Sequence, residues 1–425
     1  MLDSPGARAG NTYPAFSESG LAQWADGRLG TLIRRRVLGG LAAWRHGRLT
    51  VRLPDGSSVV LGAPDAEPHA TIEVVRDRFF RRVLLHGDIG AGDAYIDGDW
   101  RTDDLAQVIA VALRNQDALP LESPATRLWN LADTWRHGRR KNTTAGSRKN
   151  IYAHYDLGNE FFALFLDETM AYSSGVFVTP DDTLDAAQLE KYRRWGERLA
   201  PSPTDHVLEI GSGWGGLAMH LARTYGCRVT SITVSEEQRA LASARVAAAG
   251  LGDRVAIELR DYRHVEGRYD RVVSVEMIEA VGREFWPDFF RAIDRVLAPG
   301  GRVGIQAITI PDGRFDRYAR QADWIQKHIF PGGLLPCLRE VCAVTAAHTR
   351  LGVTEVEDRP LDYASTLRAW RRRFFDRIDE VRRLGVDERF VRTWEYYLAS
   401  CEAAFRTRNI GLLHLSLARV GEDLA

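Results

Sequence analysis

Val207-Leu208-Glu209-Ile210-Gly211-Ser212-Gly213-Trp214-Gly215-Gly216 passes from an apolar strand pattern into a glycine turn, and a helical pattern follows over residues 217–225. Glycine tolerates positive φ and lets a backbone approach a ligand closely, while the start of the next helix aims unsatisfied N–H groups at the same place. The stretch reads as a loop that binds a nucleotide-like group. By itself it fits a dinucleotide dehydrogenase, or a purely structural turn, equally well.

The residues downstream decide between these. The strand pattern 228–233 ends in Thr233-Val234-Ser235-Glu236-Glu237-Gln238, not in the single acid that grips an NAD ribose. Further strand patterns begin at Val255 and Tyr269, and a Leu297-Ala298-Pro299-Gly300-Gly301 turn precedes another at residues 302–308. Strands alternating with helices predict a parallel sheet, in which ligands sit at the carboxyl ends of the strands. The order of motifs resembles a class I S-adenosylmethionine (SAM) methyltransferase. The expected fold is therefore α/β, a Rossmann-like and mainly parallel sheet, with a smaller N-terminal α+β domain.

At 425 residues the chain exceeds such a core, so at least two domains are expected. The formal charge is zero, and without a basic excess nucleic acid is not an expected partner. No apolar run approaches the roughly 20 residues that cross a bilayer, and the first residues lack a signal-peptide core. The expected location is cytoplasmic. Cys227, Cys337, Cys342 and Cys401 are scattered and lack a zinc partner set, so no metal site is expected.

Along the chain, residues 1–25 read as a poorly ordered leader, 26–125 as a lipid-associating first domain, 126–150 as a basic linker and 151–425 as the methyltransferase domain. The first domain shows strand patterns at 48–53 and 58–61 around Pro54-Asp55-Gly56, then Arg78-Phe79-Phe80-Arg81-Arg82-Val83-Leu84-Leu85, an amphipathic helix flanked by arginines. That helix and the run Trp135-Arg136-His137-Gly138-Arg139-Arg140-Lys141 suit a peripheral grip on an anionic membrane.

A narrower resemblance rests on Ala153-His154-Tyr155-Asp156-Leu157-Gly158-Asn159-Glu160-Phe161-Phe162, on Leu166-Asp167-Glu168-Thr169-Met170-Ala171-Tyr172-Ser173-Ser174, and on Lys327-His328-Ile329-Phe330-Pro331-Gly332-Gly333-Leu334-Leu335-Pro336. Together with the glycine loop these are similar to the cyclopropane fatty acid synthase family, over nearly everything after residue 70. The resemblance implies transfer of a one-carbon unit from SAM to a cis double bond in an unsaturated phospholipid. It also implies a homodimer formed through the first domain. SAM would lie over Gly211, Ser212, Gly213 and Gly215, with Thr233 and Gln238 near the ribose, Asp261 and Tyr262 near the adenine, and Tyr172 and Ser173 closing over it. Tyr172, Phe177, Trp324, Phe330 and Tyr363 are candidate walls for the carbocation.

In the family pattern a bicarbonate ion takes the proton, held by the backbone at a cysteine position, a glutamate, a histidine and a tyrosine. Here those positions read Ser174, Glu279, Gln306 and Tyr363, so bicarbonate is in doubt. Glu168 stands where the pattern has proline, and a protein carboxylate can do the work of a bound oxyanion. Glu168 is accordingly the expected base. The block Val273-Ser274-Val275-Glu276-Met277-Ile278-Glu279-Ala280-Val281-Gly282 resembles the subgroup linked to methyl-branched fatty acids, in which a methylene product passes to a separate reductase. Cyclopropane and methylene products both stay open, as do a small-molecule N-methyltransferase and a non-catalytic lipid- or SAM-binding protein.

Overall fold

The computed structural model describes residues 28–117 and 158–423. The leader, the basic linker and residues 153–157 of the quoted motif lie outside the described residues.

The first unit runs α1 (Arg28–Leu41), β1 (Arg48–Arg52), β2 (Ser58–Leu61), β3 (His69–Val74), α2 (Arg78–Ile96), β4 (Trp100–Arg101) and α3 (Leu105–Arg114). Its sheet has the order β2-β1-β3-β4, with β1 parallel to β3 and antiparallel to β2. Burial alternates along β3, because one face meets the core and the other does not. Helix α2 spans the glycine-rich stretch and bends at Gly87, whose φ is +59°. Two of its three flanking arginines are engaged within the first unit. Arg78 Nε lies 2.5 Å from Asp99, and Arg82 reaches Asp97 at 2.6 Å and Asp99 at 3.3 Å. Asp99 is wholly buried and must be paired, which is why these arginines turn inward.

The second unit begins with α4 (Gly158–Ala163), α5 (Leu184–Leu199), β5 (His206–Ile210), α6 (Gly216–Tyr225), β6 (Arg228–Thr233), α7 (Glu236–Ala248), β7 (Val255–Leu259) and β8 (Tyr269–Val275). It continues through α8 (Ile278–Val281), α9 (Trp286–Val296), β9 (Leu297–Thr309), α10 (Asp312–Tyr318), α11 (Trp324–His328), α12 (Leu338–His348) and β10 (Leu351–Asp358). Helices α13 (Pro360–Asp376), α14 (Ile378–Arg383) and α15 (Glu388–Arg406) lead to β11 (Gly411–Arg419). The seven-stranded sheet has the order β10-β11-β9-β8-β5-β6-β7. β7, β6, β5, β8 and β9 are parallel, β11 pairs antiparallel with β9, and β10 at the edge pairs antiparallel with β11. Helices cover both faces, so β5 and β6 are buried almost end to end and not at alternate residues, with Glu209, Thr230 and Ser231 among the buried positions.

One hydrophobic core joins the two units: Phe80, Ala94, Tyr95 and Val111 share it with Phe161, Trp394, Leu398 and Phe405. The approach is close at Gly92, where a Cβ would come within 2.8 Å of both Trp324 and Tyr396. Polar links reinforce it: Tyr95 OH donates to Glu395 at 2.6 Å, and Asp93 faces His328 at 2.9 Å.

Candidate active site

The strand order changes between β5 and β8, and the glycine loop opens there. Gly211, Gly213 and Gly215 all have positive φ, at +100°, +47° and +84°. A Cβ on Gly211 would collide with Met277, whereas one on Gly213 would meet nothing within 4 Å and would project into open space beside the turn. Trp214 anchors the loop from behind, donating to Asn159 Oδ1 at 2.7 Å. Ser212 is buried and donates to Gly213 O.

At the end of β6, Thr233 donates to Gln238 Oε1 at 2.9 Å, and Ser235 caps α7 by accepting from Gln238 N. This fixes both residues that were expected near the ribose. Asp261, at the end of β7, is buried and accepts from the backbone N–H and guanidinium of Arg263 at 3.0 Å each. Tyr262 turns its ring into the core edge-to-face on Phe289, so only its backbone remains for a base. An open space beside positive-φ glycines, at the head of α6 and flanked by fixed polar groups, fits SAM.

Across the loop, residues 172–176 form a strap against α5. Gln188 Nε2 donates to Ser173 O at 2.8 Å, Lys191 Nζ donates to Ser173 Oγ at 2.7 Å, and Val176 N donates to Ala187 O at 2.9 Å. Tyr172 stacks on Trp370 and shares a 2.9 Å hydroxyl–hydroxyl hydrogen bond with Tyr397. Of the other aromatic candidates, Phe330 meets Tyr397 edge-to-face. Trp324 belongs to the seam with α2, donating to Asp93.

The centre of the site is a residue to which the sequence alone gave no role. Glu276, just past β8, accepts three hydrogen bonds: from Ser174 N at 2.9 Å, Gln306 Nε2 at 2.7 Å and Tyr363 OH at 2.6 Å. Three of the four positions that hold an oxyanion in the family pattern thus converge on this carboxylate. Trp195 Nε1 fixes Gln306 by donating to its Oε1 at 3.2 Å, and Phe405 stacks on Tyr363. Burial raises the Glu276 pKa, against the hydrogen bonds from Tyr363 and Ser174 and the nearby Lys191 ammonium. Its φ of +50° is one that glycine adopts freely and glutamate does not. Such strain persists where surrounding contacts over-determine it.

The fourth position, Glu279, takes a different part. Its Oε1 accepts from Ile308 N at 2.5 Å, while Oε2 is buried with no hydrogen-bond partner among the described residues. Burial, and then the Glu276 charge, push its pKa up to about 8, so it carries its proton at neutral pH. Charge on Glu276 favours the protonated form of its neighbour, because two carboxylates side by side repel.

Glu168, the expected base, requires correction. Its side chain is exposed and only its backbone is engaged, the N–H donating to Asp185 and the carbonyl accepting from Arg245, both at 3.0 Å. An exposed carboxylate is not placed to collect a proton from a site that must exclude water. Closeness in sequence to Tyr172 suggested the role. The better signal was a pair of glutamates three residues apart at the carboxyl end of a parallel strand.

Sheet order, glycine loop and fixed polar groups define a class I SAM-dependent methyltransferase. The family model described as mycolic acid cyclopropane synthetase matches residues 142–415, and the chain belongs to that family. It is 42% identical over 382 residues to the tuberculostearic acid methyltransferase UfaA1 of Mycobacterium tuberculosis, covering 88% of each chain. To the cyclopropane-fatty-acyl-phospholipid synthase of Escherichia coli K12 it is 35% identical over 364 residues, covering 83% of this chain and 89% of that one. Among solved structures it resembles the mycolic acid cyclopropane synthase CmaA1 complexed with SAH and CTAB, with TM-score 0.59 and 29% identity, over 64% of this chain and 97% of that one. The protein is a SAM-dependent enzyme that modifies lipid acyl chains.

Proposed function

We propose that the enzyme methylates the cis double bond of an unsaturated phospholipid acyl chain and that Glu276 is the base that completes the reaction. SAM supplies an electrophilic methyl group. The alkene π pair forms the new carbon–carbon bond, leaving a cation on the chain. The sulfonium carbon–sulfur pair leaves with S-adenosylhomocysteine, and a proton of the transferred methyl group then passes to a Glu276 oxygen. If it is lost directly, its bonding electrons close a ring; if it is lost after a hydride shift has moved the cation to the methyl-bearing carbon, they form a methylene double bond. The observation that carries this reading is the convergence of Ser174, Gln306 and Tyr363 on Glu276. These groups keep the carboxylate in place and, in a pocket from which water is excluded, a base of raised pKa is the stronger acceptor. Tyr363, whose pKa burial lifts well above the ordinary phenol value, stays a donor throughout.

Of the two products we favour a methylene or methyl branch, because the relative with the greater identity over the longer stretch is named a methyltransferase and not a cyclopropane synthase. A methylene product would need a separate reductase. A peripheral location at an anionic membrane surface brings this enzyme to its substrate, and dimerisation through the first unit belongs to the same reading.

The test is to incubate the enzyme with methyl-labelled SAM and vesicles of unsaturated phospholipid, with small amines as competitors. The expected result is label in the acyl chain, a mass gain of one CH2 unit, and cleavage of the product by ozone. Resistance to ozone would assign the ring, and label found only in amines would overturn the lipid assignment.

A further inference from the structure

Lys191 lies in the middle of α5 with 1% of its surface exposed, an expensive place for an ammonium group. Its Nζ donates to Ser173 Oγ at 2.7 Å, and the next residue of the strap, Ser174, donates its N–H to Glu276 at 2.9 Å. Three buried carboxyls surround the ammonium electrostatically: Glu276, Asp167 and Glu209. Two of them do not need its charge. Asp167 accepts from Thr169 N and Ala171 N at 2.8 and 2.9 Å, and it also accepts from Thr169 Oγ1. Glu209, bonded to Ser231 at 2.5 Å, is pushed up to about 8 by burial and so holds a proton at neutral pH. The carboxylate left in need of a counter-charge is Glu276.

We infer that Lys191 is a positioning residue for the reaction: its buried charge keeps Glu276 ionised, and its hydrogen bond holds the strap that carries Ser174. This rests on the assignment of Glu276 as base. The other groups facing Glu276 cannot substitute for it. Tyr363 on α13 and the Ser174 N–H are neutral donors, Gln306 on β9 has no charge, Tyr397 on α15 is a neutral phenol, and Glu279 on α8, which holds its proton, supplies no positive charge. Lys191 is the cation that lowers the Glu276 pKa. Burial lowers its own pKa to about 8, so its charge is lost as pH rises through that value, while the raised pKa of Glu276 brings the loss of its charge closer from the acid side.

The test compares pH–rate profiles at saturating SAM for the native enzyme, Lys191→Gln and Glu276→Gln. Glutamine retains a donor for Ser173 but no charge. An opposite charge nearby typically holds a carboxyl down by about 1–3 pH units, so in Lys191→Gln the acid limb should move up by about one unit or more, with kcat recovering at high pH. A purely structural lysine would scale the whole profile and leave the limb in place. If Glu276→Gln is inactive while the Lys191→Gln limb coincides with the native one, the inference about Lys191 is wrong and the base assignment stands. If Glu276→Gln is active, the base assignment itself fails. Should Lys191→Gln not fold, linkage supplies the second measurement: the 15Nζ titration of Lys191 must move to lower pH in Glu276→Gln, and an unmoved titration overturns the inference.

Discussion

Glu276 is held in a conformation that costs a non-glycine residue of order 1–3 kcal/mol, and three donors from three elements repay that strain. Because its pKa is raised above the carboxylate norm, the base is lost as pH falls through that raised value, and kcat should decline on the acid side earlier than an exposed glutamate would allow. Its neighbour Glu279 makes a separate prediction about stability. The folded-state pKa of about 8 exceeds the unfolded value, so its contribution is fully present below the unfolded pKa and disappears as pH rises through about 8. Glu279→Gln keeps the acceptor for Ile308 N–H and removes the ionisation. Thermal melts should show its advantage over the native protein widening between pH 5 and pH 8 (about one pH unit either way at each end), and a gap that stays constant would mean Glu279 is ionised throughout. None of this was legible residue by residue. Ser174, Gln306 and Tyr363 were identifiable as a set, but the atom they share is defined only by tertiary convergence, so Glu276 drew no role from the sequence while the exposed Glu168 did.

At the scale of elements the sequence was far more informative. Val207, Leu208 and Ile210 mark β5 as a mainly apolar strand, and a glycine turn between such a strand and a helix has few structural alternatives, so the β5–α6 loop is legible in the sequence. The additions β11 and β10, each joined through an antiparallel pairing, were harder to see, since long-range pairing has no local signature. Gly213→Val should abolish SAM binding in a folded protein. A β-branched residue at φ +47° is strained by roughly 1–2 kcal/mol, and its side chain would enter the open space beside the turn. Calorimetric titration with SAM reads this directly, and unchanged affinity would mean that the ligand lies elsewhere. Sequence pattern also predicted a basic membrane-binding helix at Arg78–Arg82, but a pattern does not reveal that Asp97 and Asp99 take up two of its arginines.

For the whole molecule, the shared core fixes the first unit against α15, so its surface is presented to the outside as part of one body. No helix among the described residues is long and apolar enough to cross a membrane. With Arg78 and Arg82 committed, α1 offers the better contact surface: Leu32 is 60% exposed, and Arg35 and Arg36 are exposed one turn further along the same helix. Sedimentation with anionic vesicles should fall as salt rises, since exposed charges are screened beyond about 8 Å at physiological ionic strength. Arg35→Glu with Arg36→Glu should weaken it further without changing SAM affinity. Sedimentation indifferent to salt, lipid charge and both substitutions would remove α1 from the membrane contact.

Whether a carboxylate of the chain does what a captured oxyanion does in the family pattern is measured directly by turnover with and without bicarbonate. The native enzyme should be indifferent to bicarbonate, and Glu276→Gln should lose roughly 10²–10⁴ in kcat, or about 3–5 kcal/mol, while retaining SAM binding. Glu276→Gly, which leaves Ser174, Gln306 and Tyr363 facing an empty place, should be inactive until bicarbonate is added. Native activity that tracks bicarbonate, or near-native turnover by Glu276→Gln, would contradict the assignment.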